Sequence, residues 1–235
     1  MSSLPIAEIR ACVFDAYGTL FDVNSAAERE KDALGGKWQP LAELWRAKQL
    51  QYTWLRALMG IHSDFWQVTG DALDFAMLSL SLDDPALRFR LMDLYLRLES
   101  YPEVKETLRV LKGAGLKLAI LSNGTPHMLA AAVANSCIEP LLDEVLSVEE
   151  VLIYKPHPAV YAHAARRLGL APREICFLSS NAWDAHGGKE FGFNVVWCNR
   201  FGQTAERLPG VPDAEIRSLS ALPALLGIQE GGAFT

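Results

Sequence analysis

Ala11-Cys12-Val13-Phe14 runs directly into Asp15-Ala16-Tyr17-Gly18-Thr19-Leu20. An unbroken apolar, β-prone run without polar alternation reads as a parallel strand covered on both faces. Asp15 ends it and opens a polar turn. Three further runs share the pattern: Leu116-Lys117-Leu118-Ala119-Ile120-Leu121, Ile175-Cys176-Phe177-Leu178 and Phe193-Asn194-Val195-Val196-Trp197. Helical patterns separate the later runs. Glu103 to Gly113 reads as one helix. Pro126 to Asn135 is a second, with Pro126 in its first turn, and Pro158 to Leu168 a third, stopped at Gly169. Alternating strands and helices predict an α/β fold with a doubly wound parallel sheet.

The stretch 22–100 breaks this alternation and has only helical periodicity. Ser25 and Glu28 form a capping-box pattern. Trp38 to Met59 carries Leu41, Leu44, Trp45, Tyr52, Leu55 and Leu58 at helical spacing before Gly60. Phe65 to Leu80 continues helical. Asp84-Pro85 is an N-cap with Pro at N1, opening a helix with Leu87, Leu91, Leu94 and Leu98, and Tyr101-Pro102 breaks the chain. The expected organisation is therefore a Rossmann-like core over 1–21 and 101–235 with an all-helical domain inserted at 22–100. A short apolar helix is expected around Leu219 to Leu226.

Composition narrows the function. Half of the 235 residues are hydrophobic and 21% charged, which excludes wholesale disorder. A net charge of −6 offers no broad basic face for a nucleic-acid backbone. The N-terminus lacks a signal-peptide pattern, and no apolar run is long enough to span a membrane. Cys12, Cys137, Cys176 and Cys198 lie far apart, as reduced core thiols of a cytoplasmic protein would. His62, His127, His157, His163 and His186 have no metal-ligand spacing and read as loop or helix-surface residues.

Ligands of open parallel sheets bind beyond the carboxyl ends of the strands. There the first strand offers Asp15, Tyr17 and Thr19; the second, Ser122-Asn123-Gly124-Thr125; the third, Ser179-Ser180-Asn181-Ala182-Trp183-Asp184. Lys155-Pro156 precedes a helix between them. Each cluster alone also fits a turn, a helix cap or a surface lysine. Their convergence on one sheet edge is what points to a site.

These residues, in this order, resemble the four motifs of the haloacid dehalogenase superfamily. Phe14 to Leu20 resembles its nucleophile motif, Leu121 to Thr125 the second, Lys155-Pro156 the third and Ser179 to Asp184 the fourth; the insert resembles its cap domain. Nearly the whole chain is covered. The details are similar to one branch, the L-2-haloacid dehalogenases. Phosphatases of the superfamily carry a second Asp where Tyr17 stands and further Asp residues where Ser179, Ser180 and Asn181 stand. A hard divalent cation wants several oxygen ligands, carboxylates above all, so no metal or other cofactor is expected. An alkoxide leaving group benefits from a general acid. A halide leaves without a proton and needs a cradle of donors instead.

The resemblance implies that Asp15 attacks C2 of an L-2-haloalkanoate, forming an ester that water hydrolyses to the D-2-hydroxy acid. It implies that Thr19 positions Asp15, that Lys155 pairs with Asp184, and that Ser179 and Asn181 support that pair. Asp184 is the preferred base for the water, with Lys155 the other candidate. Ser122 and the backbone N–H groups of Ala16 and Tyr17 would hold the substrate carboxylate. Tyr161 either leans toward the site or is a packed aromatic. Arg46, Asn123 and Trp183 would receive the halide; by spacing alone Arg46 equally suits a surface pair with Glu43. Expected partners are the small acid and the halide ion, with neither nucleic acid nor membrane, and a second copy of the chain in a homodimer. Open alternatives are a phosphatase acting on a small phosphorylated metabolite, a non-catalytic anion-binding descendant, and a hydrolase of another electrophilic bond.

Overall fold

The computed structural model describes residues 8–23 and 29–228. Strand β1 (Ala11–Phe14) lies at the middle of a six-stranded, all-parallel sheet. The insert supplies helices α1 (Trp38–Met59), α2 (Phe65–Ser79) and α3 (Pro85–Tyr95). The chain then alternates through α4 (Val104–Gly113), β2 (Lys117–Ser122), α5 (Pro126–Asn135), β3 (Glu144–Ser147), α6 (Pro158–Leu168), β4 (Ile175–Ser179), α7 (Ala182–Phe191), β5 (Asn194–Cys198) and β6 (Ala214–Ile216). Strand order is β3-β2-β1-β4-β5-β6. In register, Phe14 pairs with Ile120 of β2 and with Leu178 of β4. The winding therefore reverses at β1, which opens a crevice at the carboxyl ends of β1, β2 and β4.

Burial explains the sequence pattern. All four residues of β1 and all five of β4 are buried. Helices α4 and α6 pack on β2, and α7 packs on β4 and β5. Three strand cysteines, Cys12, Cys176 and Cys198, are buried free thiols, but Cys137 is exposed in the turn after α5. His163 and His186 are buried rather than on the surface. The His186 imidazole Nδ1 lies 2.8 Å from the Pro209 carbonyl.

The insert is all helical in its described part; the Ser25–Glu28 pattern lies outside the described residues. Gly60 ends α1 in the left-handed conformation, φ +66°, which a side chain would strain. Asp64 and Asp84 cap α2 and α3, accepting from Gln67 N and Leu87 N. Helix α3 ends at Tyr95, short of the expected Leu98, which is buried in the returning segment. The outgoing and returning chains lie side by side. Phe21 bridges Ser100, and Tyr101 N donates to Leu20 O at 3.0 Å. The apolar tail is a turn at Leu219–Ala221 followed by one helical turn at Leu222–Leu225.

Two strands have no counterpart in the sequence reading. β3 and β6 are short edge strands, with Glu144 and Glu215 interrupting their apolar pattern. Among the described residues, no helix is long and apolar enough to cross a membrane.

Candidate active site

Asp15 follows β1 directly, and its N–H donates to Leu178 O at 2.8 Å, prolonging the β1–β4 pairing by one step. The chain then turns sharply: Leu20 N and Phe21 N both donate to Ala16 O, and Gly18 adopts φ +87°. That turn brings Thr19 back over Asp15. Three donors fix the Asp15 carboxylate. Thr19 Oγ1 and Asn181 Nδ2 donate to Oδ2 at 3.0 and 2.9 Å, and Lys155 Nζ donates to Oδ1 at 3.0 Å. Ser180 N in turn donates to Thr19 Oγ1 at 2.8 Å, orienting the Thr19 hydroxyl hydrogen toward Asp15.

Lys155 is 1% exposed and also donates to Asp184 Oδ2 at 2.8 Å. Its ammonium lies 5.0 Å from the centre of the Phe177 ring. Burial alone would depress this lysine's pKa, but the Asp15 and Asp184 carboxylates outweigh burial and hold it above the ordinary value. Asp184 is wholly buried. Burial and the nearby Asp15 charge push its pKa up, against the pull of Lys155 and of the Tyr161 hydroxyl, and the net direction is upward. Tyr161 OH donates to Asp184 Oδ1 at 2.8 Å.

The neighbouring loops add donors. Asn123 Oδ1 accepts from Lys155 N at 3.0 Å, and its NH2 donates to no described residue. Ser122 Oγ, fully buried, accepts from Gly124 N at 3.1 Å. The N–H groups of Ala16 and Tyr17 are likewise bonded to no described residue. The Tyr17 ring stacks on Phe65 of the insert, and its buried hydroxyl has no hydrogen-bond partner among the described residues. It leaves room only for glycine at 124, where a Cβ would lie 2.7 Å from the ring.

Arg46 reaches the site from α1. Its Nη2 donates to Asn181 Oδ1 at 3.1 Å and its Nη1 to Gln49 Oε1 at 2.7 Å. Glu43 instead accepts from Gln39, so the surface pair with Arg46 does not form. The Trp183 indole stacks edge-on against Trp54, and its buried Nε1 has no hydrogen-bond partner among the described residues. A cavity of about 480 Å³ lies at this junction, lined by Tyr17, Gly18, Arg46, Leu50, Asn181 and Trp183 among others.

Three of the expected side chains take more specific places. The Asn181 side chain bonds to neither Lys155 nor Asp184: its NH2 holds Asp15 and, at 3.3 Å, Tyr17 O, its side-chain carbonyl takes Arg46, and only its backbone O meets Asp184, accepting from Asp184 N at 3.0 Å. Ser179 Oγ accepts from Asn181 N at 3.2 Å and so supports that loop. Tyr161 is fully buried behind Asp184 and packs on Phe177, Phe191 and Phe193. It is a partner of Asp184 and does not line the open cavity. The sequence reading also missed contacts that close the insert over the core. His62 Nε2 lies 2.9 Å from Glu149 Oε2, and Tyr154 OH donates to Ser63 O. A polar loop residue carries no local signal for such a contact.

The donor set does not suit a divalent cation. An ammonium stands between the two carboxylates, and no group of three or more His, Cys, Asp or Glu is placed to hold a metal among the described residues. What the site can do is bind anions and present one fixed carboxylate.

The fold and site thus place an aspartate at the switch point of a parallel α/β sheet, with a helical insert overhead. A family model described as haloacid dehalogenase-like hydrolase matches residues 9–192, and the chain belongs to that family. It is 48% identical over 222 residues to (S)-2-haloacid dehalogenase 4A of Burkholderia cepacia, covering 94% of this chain and 96% of that protein. It is 46% identical over 226 residues to (S)-2-haloacid dehalogenase of Pseudomonas sp. (strain YL), covering 96% and 97%. The solved structure of L-2-haloacid dehalogenase from Xanthobacter autotrophicus with chloropropionic acid covalently bound superposes with TM-score 0.87 at 40% identity, covering 93% of this chain and 98% of that one.

Proposed function

We propose that this chain hydrolyses L-2-haloalkanoic acids to D-2-hydroxy acids with inversion at C2. An Asp15 carboxylate oxygen attacks C2 opposite the halogen; the C–X bond breaks and the halide leaves with its electron pair. Water then adds to the Asp15 carboxyl carbon and gives its proton to the base. The bond from that carbon to the ester oxygen on C2 breaks, the base returns its proton to that oxygen, and the hydroxy acid departs.

Thr19, Asn181 and Lys155 hold the attacking carboxylate in one pose. Asp184, with its raised pKa, is the base for water, and Lys155 and Tyr161 orient it. Ser122 and the free N–H groups of Ala16 and Tyr17 receive the substrate carboxylate. Arg46, Asn123 and Trp183 receive the halide. The observation that carries this reading is the Lys155 ammonium bridging Asp15 and Asp184, with Tyr17 where phosphate-ester cleavage would want an acid.

Residues 22–100 act as the cap; the paired crossing at Phe21 and Ser100 supports that division. A homodimer is supported by Leu58, Met59, Ile61 and Leu78, all exposed at the insert surface. Buried free thiols at Cys12, Cys176 and Cys198 support a cytoplasmic setting.

The test is halide release from L- and D-2-chloropropionate, assayed separately in EDTA, beside an aryl phosphate with Mg²⁺. Chloride from the L isomer alone is expected. Phosphate release without chloride would establish the phosphatase instead.

A further inference from the structure

Gln49 is a polar side chain with no solvent exposure, on α1 one helical turn beyond Arg46. A buried amide persists where its groups are satisfied, and here they are satisfied in a fixed direction. Gln49 Oε1 accepts from Arg46 Nη1 at 2.7 Å and from Tyr95 OH of α3 at 3.3 Å. Gln49 Nε2 donates to Thr69 Oγ1 of α2 at 2.7 Å, and the Thr69 hydroxyl donates to Phe65 O at 2.6 Å. Thr69 is fully buried, and the Trp45 indole donates to its carbonyl at 2.9 Å. This chain can run only one way. Arg46 has no acceptor to offer, so Gln49 must present its carbonyl there and its NH2 to Thr69.

Arg46 has two anchors of different kinds. Asn181 Oδ1 belongs to the core and turns with the Asp15 contact. Gln49 belongs to the insert and ties α1 to α2 and α3. A free arginine side chain samples many rotamers, and fixing it before the halide arrives removes that cost from the reaction.

We propose that Gln49 is a positioning residue that holds the Arg46 guanidinium in its halide-receiving pose, with Thr69 and Tyr95 as its anchors. The inference rests on the dehalogenase reading above. Gln49 touches neither substrate nor halide, so its effect passes through Arg46 alone.

The experiment is single-turnover halide release from L-2-chloro- and L-2-bromopropionate. The wild type is measured first; no halide from it would overturn the dehalogenase reading and this inference together. With an active wild type, Gln49→Leu is expected to slow chloride release on the order of 10- to 100-fold, the range for a lost hydrogen bond to a charged group. Bromide, the better leaving group, should lose less. Competitive inhibition by propionate should be unchanged, because the carboxylate subsite is untouched. In an Arg46→Ala background, Gln49→Leu should cost nothing further. Equal losses for the two halides, or losses that multiply in the double variant, would overturn the inference while leaving the dehalogenase intact. If Gln49→Leu does not fold, Thr69→Val carries the test. It should show the same halide-dependent loss at smaller amplitude, with Thr69→Ser close to wild type. A Thr69→Val loss that ignores the halide, or no loss, would overturn it.

Discussion

Lys155→Met removes the cation that separates two buried carboxylates while keeping much of the side chain's volume. Lys155 makes two charge-assisted bonds, 3.0 Å to Asp15 and 2.8 Å to Asp184, at 1% exposure. Breaking a buried ion pair by removing one partner costs about 3–5 kcal/mol, since the remaining charge is uncompensated. At about 2–4 °C per kcal/mol for a chain of this size, the melting temperature should fall by roughly 6–20 °C at pH 7.5. The sign with pH follows from the same geometry. In the wild type Lys155 is held above its ordinary pKa, so its contribution is complete below that value and fades only as pH rises through the higher one. In the variant, two facing carboxylates cannot both ionise cheaply, and one takes a proton as pH falls. The deficit against wild type should therefore shrink between pH 7.5 and pH 5. Differential scanning calorimetry of both proteins across that range reads it. A variant that melts within a couple of degrees of wild type at pH 7.5, or whose deficit grows toward pH 5, would refute the buried-triad reasoning.

Tyr161→Phe removes a hydroxyl that favours the charged form of Asp184. Asp184 should then hold its proton to higher pH, moving the acid limb of the kcat profile upward at a stability cost of about 1.5–3 kcal/mol; an unmoved or lowered limb would separate Asp184 from the water step. Arg46→Lys cannot reach Gln49 and Asn181 at once, as the planar guanidinium does at 2.7 and 3.1 Å. Halide release should fall about 10- to 100-fold in stopped-flow measurement. Gly124→Ala would put a Cβ 2.7 Å from the Tyr17 ring. Thermal melts should show about 1–3 kcal/mol of overpacking loss, with turnover reduced as Tyr17 shifts.

The core strands β1, β2, β4 and β5 were legible because double-sided burial writes itself as continuous apolar sequence. Helices α1, α5 and α6 end where Gly60, Asn135 and Leu168 place them, since their caps and stops are local chemistry. β3 and β6 were not legible: an edge strand is short and half-solvated, and Glu144 and Glu215 erase its pattern. Leu98 fits helical spacing but is buried in the irregular segment after α3, a tertiary effect that spacing cannot carry.

The site divides along the same line. The clusters after β1, β2 and β4 were visible as polar residues at strand ends, and the sheet order brings them together. Which side chain meets which was not. Asn181 could have faced Lys155 as easily as Asp15; the choice is fixed by Arg46 arriving 135 positions away in sequence. Gln49 in a helix pattern looks like any solvated glutamine until α2 and α3 close over it.

Mass spectrometry of Asp15 after a single turnover in H₂¹⁸O addresses the covalent route itself. With L-2-chloropropionate limiting, one solvent oxygen should appear in the Asp15 carboxylate and none in the first D-lactate formed. Label in the lactate, with an unlabelled Asp15 peptide, would mean that water attacks C2 directly and that Asp15 is not the nucleophile.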